Sequence, residues 1–195
     1  MPKQSNEKSQ QRRQLIFDAA IKCFKNNGLN KASMRNIAEE AGVSLGNLYQ
    51  YFPDKASLIK HFIIETNAEV ENIYASLSGP FPFKLVMKEI IKGYLESLSQ
   101  EDETAIIYEI FIAGLRDDEI MAIIREHYIE EQVLAKKLRQ AEQDKRVKLP
   151  AGAQATASAI LAVIENNALK VQLEESFTVK QAVKDAWKVI DLLLV

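Results

Sequence analysis

The chain has 195 residues, 47% of them hydrophobic and 27% charged, with one cysteine and a formal net charge of −2. That length buries a real core in one large or two small domains. One cysteine excludes an internal disulfide, and no apolar run is long enough to span a bilayer. With no charged-then-apolar leader, the expected location is the cytoplasm.

Charge is unevenly placed. Residues 1–60 carry ten Lys or Arg and five Asp or Glu, whereas the remainder carries fifteen and twenty-two. A basic first third on an acidic body points to a polyanion partner for the first third, with chance as the alternative.

The apolar spacing is helical along the chain, without alternation of period two and without a glycine-rich phosphate loop. Residues 1–9 are polar and are expected to fray. The first helix is predicted over Gln10 to Asn27, on a stripe of Leu15, Ile16, Ala19, Ala20, Cys23 and Phe24, with Gly28 as its stop. Cys23 on that stripe reads as a small buried hydrophobe. Ser33 caps a short second helix ending near Ala41, and Gly42 gives a tight turn. Ser44 caps a third helix that stops at Phe52–Pro53. Asp54 caps a long fourth, with Leu58, Ile59, Phe62, Ile63, Thr66 and Val70 inward. "SLSGPFPF", Ser76 to Phe83, holds the one Gly-Pro pair and marks a boundary between two parts. Beyond it, helices are predicted at 83–99, 102–114, 117–145, 152–174 and 178–194, the last two set off by "KLPAG", Lys148 to Gly152.

Two short helices joined by a turn with Gly, preceded by a third, form a helix-turn-helix arrangement. Ile37, Ala38, Val43 and Leu48 lock the short helices together. Leu45, Gly46, Asn47, Gln50 and Tyr51 are left facing out. Gly46 gives up about 1 kcal/mol of helix propensity relative to Ala, but lets the backbone approach a surface closely. Asn47 suits an adenine edge and Leu45 a thymine methyl. Tyr49 and Tyr51 offer hydroxyls to phosphates. Lys55 stands in the first turn of the fourth helix, where a cation opposes the helix dipole unless an anion accompanies it.

"SMRNIAEEAGVSLGNLYQYFPDKASLI" resembles the DNA-binding signature of the TetR (tetracycline-repressor) family of bacterial transcriptional regulators. The shared positions run from Ser33 through Ile37, Ala38, Ala41, Gly42, Val43, Ser44, Gly46, Leu48, Tyr49, Tyr51, Phe52, Lys55 and Leu58. The resemblance implies an all-α chain. An N-terminal three-helix helix-turn-helix domain (1–56) is joined through the fourth helix (54–76) to a larger helical ligand-binding and dimerisation domain (77–195). It implies DNA contacts at Ser33, Arg35, Ser44, Leu45, Gly46, Asn47, Tyr49, Gln50, Tyr51 and Lys55. An apolar Leu45 departs from a position that is often polar in the family. Arg12 and Arg13 are either phosphate contacts or a solvated face.

The resemblance further implies a homodimer, a small-molecule effector and a ligand-responsive regulator. Its usual action is as a repressor released from a palindromic operator, with activation as the alternative. Tyr94, Tyr108, Phe111, His127, Tyr128 and Asn167 are the candidate effector lining. The two most apolar helices supply a candidate dimer interface at Ala157, Ile160, Ile164, Val183, Trp187 and Ile190. The alternative for these helices is that they fill the chain's own core.

A helical metal-dependent enzyme is the competing class. His61 and His127 each have a Glu four residues on, Glu65 and Glu131, which places the pair on one helix face. Leu58 and Ile124 stand where a Glu-x-x-His motif needs Glu, and there is no nucleophile elbow or nucleotide motif. The expectation is therefore no enzymatic activity, no cofactor and no metal.

Overall fold

A computed structural model describes residues 2–98 and 103–195. The predicted ends at 99 and 102 lie outside the described residues. The described chain is all-α, as expected, with helices α1 (Pro2–Asn27), α2 (Met34–Glu40), α3 (Leu45–Tyr51), α4 (Lys55–Ala75), α5 (Phe83–Leu98), α6 (Glu103–Gly114), α7 (Asp118–His127), α8 (Glu130–Gln143), α9 (Ala153–Leu173) and α10 (Val179–Leu193).

The helix ends follow local chemistry. Ser33 accepts from the Asn36 backbone N–H, and the Asn36 side chain accepts from the Ser33 N–H in return. At the other end of α2, Gly42 sits at φ +63°, where a side chain is strained. Its N–H reaches Glu39 O at 3.1 Å while Val43 N–H reaches Ala38 O at 3.0 Å, the Schellman pattern that ends a helix sharply. Ser44 then caps α3 through the Asn47 N–H at 3.1 Å. Asp54 caps α4 through the Ser57 N–H at 2.7 Å.

Two boundaries differ from the sequence reading. Helix α1 begins at Pro2, so the polar start continues the helix. The single helix predicted over 117–145 is two, because Tyr128 adopts an extended backbone (φ −79°, ψ 112°) between α7 and α8. No Gly or Pro marks this break. Tertiary packing makes it: Ile124 and Tyr128 belong with one core, and Leu134 and Leu138 with another.

The chain forms two compact units, divided within α4 after Glu65 and again after Tyr128. The sequence reading divides the chain at 1–56 and 77–195; by packing, α6 and α7 join the first unit. That unit closes over Ile16, Ala20, Phe24, Ile37, Leu48, Phe52 and Leu58, together with Ile106, Ile110 and Ile124 from α6 and α7. Glu109 of α6 accepts from the Leu29 N–H, pinning α6 to the turn after α1. At the end of α6, a Cβ on Gly114 would meet the Ile124 Cδ1 at 2.6 Å, so glycine permits the close approach of α7.

The second unit is built on α5, α8, α9, α10 and the later turns of α4, around Leu77, Met87, Ile91, Leu138, Ala157 and Ile160. Ala157, Ile160, Ile164 and Ile190, expected at a dimer interface, are at most 4% exposed within this core. They are consumed by the chain's own packing, and Val183 and Trp187 are half-buried against the same core.

Candidate nucleic-acid interface

Helix α3 has two distinct faces. Leu48 is fully buried, while Gly46, Tyr49 and Gln50 are exposed and Asn47 is half-buried. A Cβ built on Gly46 meets nothing within 4 Å, so the chain's own packing does not require glycine there. The Asn47 amide donates to Gln50 Oε1 at 3.4 Å, which aligns the two along the outer face. Ser33 and Arg35 are exposed at the start of α2, and Ser44 at the start of α3. Lys8, Ser9 and Arg12 of α1 share an open groove with Ser44, Asn47 and Tyr51. The groove therefore combines two cations with short polar side chains, which suits a phosphate backbone.

Three side chains behave differently from the sequence reading. Leu45 is half-buried and packs on the core as the first residue of α3. Arg13 is used internally: its guanidinium lies 4.5 Å from the Phe52 ring centroid and donates to Tyr51 O at 3.5 Å. Lys55 donates its ammonium to Leu29 O at 2.8 Å and to Asn30 O at 3.5 Å. Burial lowers its pKa. The dipole argument that called for an external anion thus has an internal answer, since two main-chain carbonyls offset the unfavourable helix end.

Residues 16–62 match the family model described as "Bacterial regulatory proteins, tetR family". The helix-turn-helix region of the chain is thus similar to that of the TetR family. Among curated relatives, the HTH-type transcriptional regulator AcrR of Shigella flexneri is 27% identical over 128 residues, which is 65% of this chain and 60% of AcrR. The chain therefore matches less than two thirds of that relative. Among solved structures, Salmonella enterica GusR superposes with a TM-score of 0.76 at 20% identity, over 94% of this chain and 95% of GusR. FadR of Bacillus subtilis, solved in complex with stearoyl-CoA, superposes with a TM-score of 0.74 at 19% identity, over 91% and 96%.

The second unit contains a cavity of about 40 Å³ between α4, α5, α8 and α9. Its walls are mostly apolar, with Val70, Ile90 and Leu161 among them; Tyr74, Tyr94, Glu130 and Glu165 supply the polar atoms. Glu130 is 8% exposed and accepts from the Tyr74 hydroxyl at 3.2 Å. Burial, and then the charge of Glu130, push the Tyr74 hydroxyl far above its ordinary range, so it stays a donor. The Glu165 carboxyl is pushed up too, first by burial and then by Glu130.

Of the expected effector residues, only Tyr94 lines this cavity. Tyr108, Phe111, His127 and Tyr128 belong to the first unit, where Phe111 and Tyr128 pack edge to face at 5.2 Å. Asn167 is buried, and its amide donates to Val163 O at 2.8 Å, one turn back on its own helix. Sequence reasoning missed Tyr74, Glu130 and Glu165. Glu130 was detectable: it continues the inward stripe of Leu134, Leu138 and Ala141, where a carboxylate is out of place.

His61 sits 3.9 Å from Glu65 and packs on Phe17 and Phe52, at ring distances of 4.6 Å and 5.5 Å. Among the described residues, no three His, Cys, Asp or Glu side chains gather where they would hold an ion.

Proposed function

We propose that this chain is a ligand-responsive transcriptional repressor that binds a near-palindromic operator as a homodimer and leaves it when a small molecule occupies the cavity of the second unit. The observation that carries the reading is the outer face of α3, where Gly46 has open space around it and Asn47, Tyr49 and Gln50 stand outward over a buried Leu48. Such a helix costs stability in isolation and gains from a major groove. Ser33, Arg35, Ser44 and Arg12 are assigned to the phosphates beside it. Tyr51 belongs to the same groove, and Lys55 fastens the start of α4 to the turn after α1.

Helix α4 supplies the link. Its first turns give Leu58 and Ile59 to the core that also holds Leu48 of α3, and its later residues Val70 and Tyr74 line the cavity. In this reading, a ligand in the cavity acts on the spacing of the two reading heads in the dimer. Two heads must sit about 34–36 Å apart to engage successive major grooves, so a changed spacing lowers affinity. The coupling expected for such a switch is about 1–3 kcal/mol. That FadR holds stearoyl-CoA supports a ligand site in a body of this fold. Since DNA is its substrate, the proposed place of work is the cytoplasm.

The test is a fluorescence anisotropy titration of the full chain against its own promoter region and a scrambled duplex, at two salt concentrations. Tight, salt-dependent binding to the promoter alone is expected. Asn47→Ala should cost about 1–3 kcal/mol and relax preference at one base pair. Equal binding of both duplexes by the unsubstituted protein would remove the reading. A promoter–reporter fusion then gives the sign, with higher expression on loss of the protein expected for a repressor.

A further inference from the structure

The cavity between α4, α5, α8 and α9 has a hydrocarbon wall and polar groups that are already engaged. Val70, Ile73, Ile90, Leu161 and Ile164 supply the wall from three helices, and no Lys, Arg or His stands among the lining residues. The Tyr74 hydroxyl donates to Glu130 at 3.2 Å, and both Glu130 and Tyr94 have further interactions within the chain. Glu165 lines the cavity but is exposed, so its carboxylate keeps its water. We propose that this cavity takes a small, neutral, apolar molecule, hydrocarbon in character, in preference to alcohols and ions of the same shape; the inference rests on the reading of the cavity as the effector site.

A polar group on a ligand must find a partner inside the protein to replace the water it leaves. The Tyr74 hydroxyl has its one proton on Glu130, so it has none to give to an incoming hydroxyl or carboxylate. An anion would also stand beside the buried carboxylate of Glu130, with no lining cation to offset the repulsion. An ammonium would give up its water for a carboxylate that already has partners. A hydrocarbon loses no hydrogen bond on entry. It exchanges water for contact with five aliphatic side chains, and burial of apolar surface then drives binding. Cavities walled in this way take small apolar guests. The volume of about 40 Å³ limits the guest to a few heavy atoms. Ile73 and Glu165, both exposed, mark the side on which the cavity meets solvent.

Methylcyclopentane, cyclopentanol, cyclopentylammonium and cyclopentanecarboxylate carry one ring and differ in the group attached to it. Each is titrated into the full chain while the methyl signals of Ile90, Leu161 and Ile164 are followed by NMR, and each is added to the operator complex while anisotropy is followed. Methylcyclopentane is expected to shift those methyl signals and to bind about tenfold or more tighter than cyclopentanol, with the two ions weakest. Val70→Phe, which puts a ring into the space, is expected to abolish that binding. If Val70→Phe fails to fold by circular dichroism, Leu161→Ala tests the same space in the other direction: it enlarges the cavity and should favour butylcyclopentane over methylcyclopentane. Cyclopentanol or either ion binding as tightly as methylcyclopentane would overturn the neutral apolar class and leave the effector site standing. Methylcyclopentane binding that shifts the three methyl signals but leaves operator affinity unchanged would support the ligand class and remove its effector role. No binding by any probe, with operator binding intact, would overturn the proposal.

Discussion

Gly46 and His61 show how single residues divide between stability and function. Nothing in the chain crowds a Cβ at Gly46, and its backbone is not in the left-handed region. Gly46→Ala should therefore raise stability by roughly 0.5–1 kcal/mol while lowering operator affinity, because the added methyl stands between α3 and the groove. A thermal melt beside an anisotropy titration reads both signs, and a variant that lost stability without losing affinity would contradict the assignment. His61 is stabilising only when neutral. Burial lowers its pKa most, the Arg13 charge lowers it further, and Glu65 partly offsets both. The folded value lies below the usual 6.5, so the unfolded chain takes up the proton first as pH falls. Stability that is full above pH 6.5 should drain away as pH falls through the window beneath it. His61→Phe should flatten that part of the melting-temperature profile between neutral and mildly acidic pH.

At the scale of elements, Lys55 fastens the start of α4 to the turn after α1. Lys55→Ala should cost about 1 kcal/mol in chemical denaturation, because the Leu29 and Asn30 carbonyls lose their donor. Tyr49→Phe, on an exposed side chain, should weaken binding to all DNA sequences alike and leave the denaturation midpoint unmoved. The helix-turn-helix was legible because its signals are local: Ser33 and Ser44 cap, Gly42 takes a positive φ, and Leu48 recurs at helical spacing behind a polar face. The break at Tyr128 was not legible, since its cause lies in Ile124 and Leu134 joining different cores. The cavity lining was hidden for a similar reason. Tyr74 and Glu130 are 56 positions apart, and only the fold brings that hydroxyl to that carboxylate. Aromatic residues chosen by type, such as Phe111 and Tyr128, turn out to satisfy one another. Lys55 was seen, but its partners were not, because main-chain carbonyls leave no mark in a sequence.

For the whole molecule, the proposed homodimer raises the question of which surface would join two copies. The most buried residues of α9 and α10 are unavailable, since Ala157, Ile160 and Ile190 are 0% exposed in the single chain. What α9 and α10 leave uncovered is Leu169, Leu173, Val189 and Leu192, with Leu173 at 72% and Leu192 at 77% exposure. Large apolar side chains left open in this way are candidates for coverage by a second copy. The double change Leu173→Glu with Leu192→Glu should leave the helical content intact, because neither side chain is needed in the core, and should yield a monomer in sedimentation velocity. Ile160→Glu places a charge in the core instead and should unfold the second unit. The monomer keeps its reading head, so its affinity for an isolated half-site should match that of the parent chain. Its affinity for the full operator should fall to that same level, because two heads that are no longer linked lose their effective concentration for one another. If the double variant remained dimeric, the exposed residues of α9 and α10 would not be the joint. If it became monomeric yet held the full operator as tightly as before, the operator would be read by one head, and the spacing mechanism would go with it.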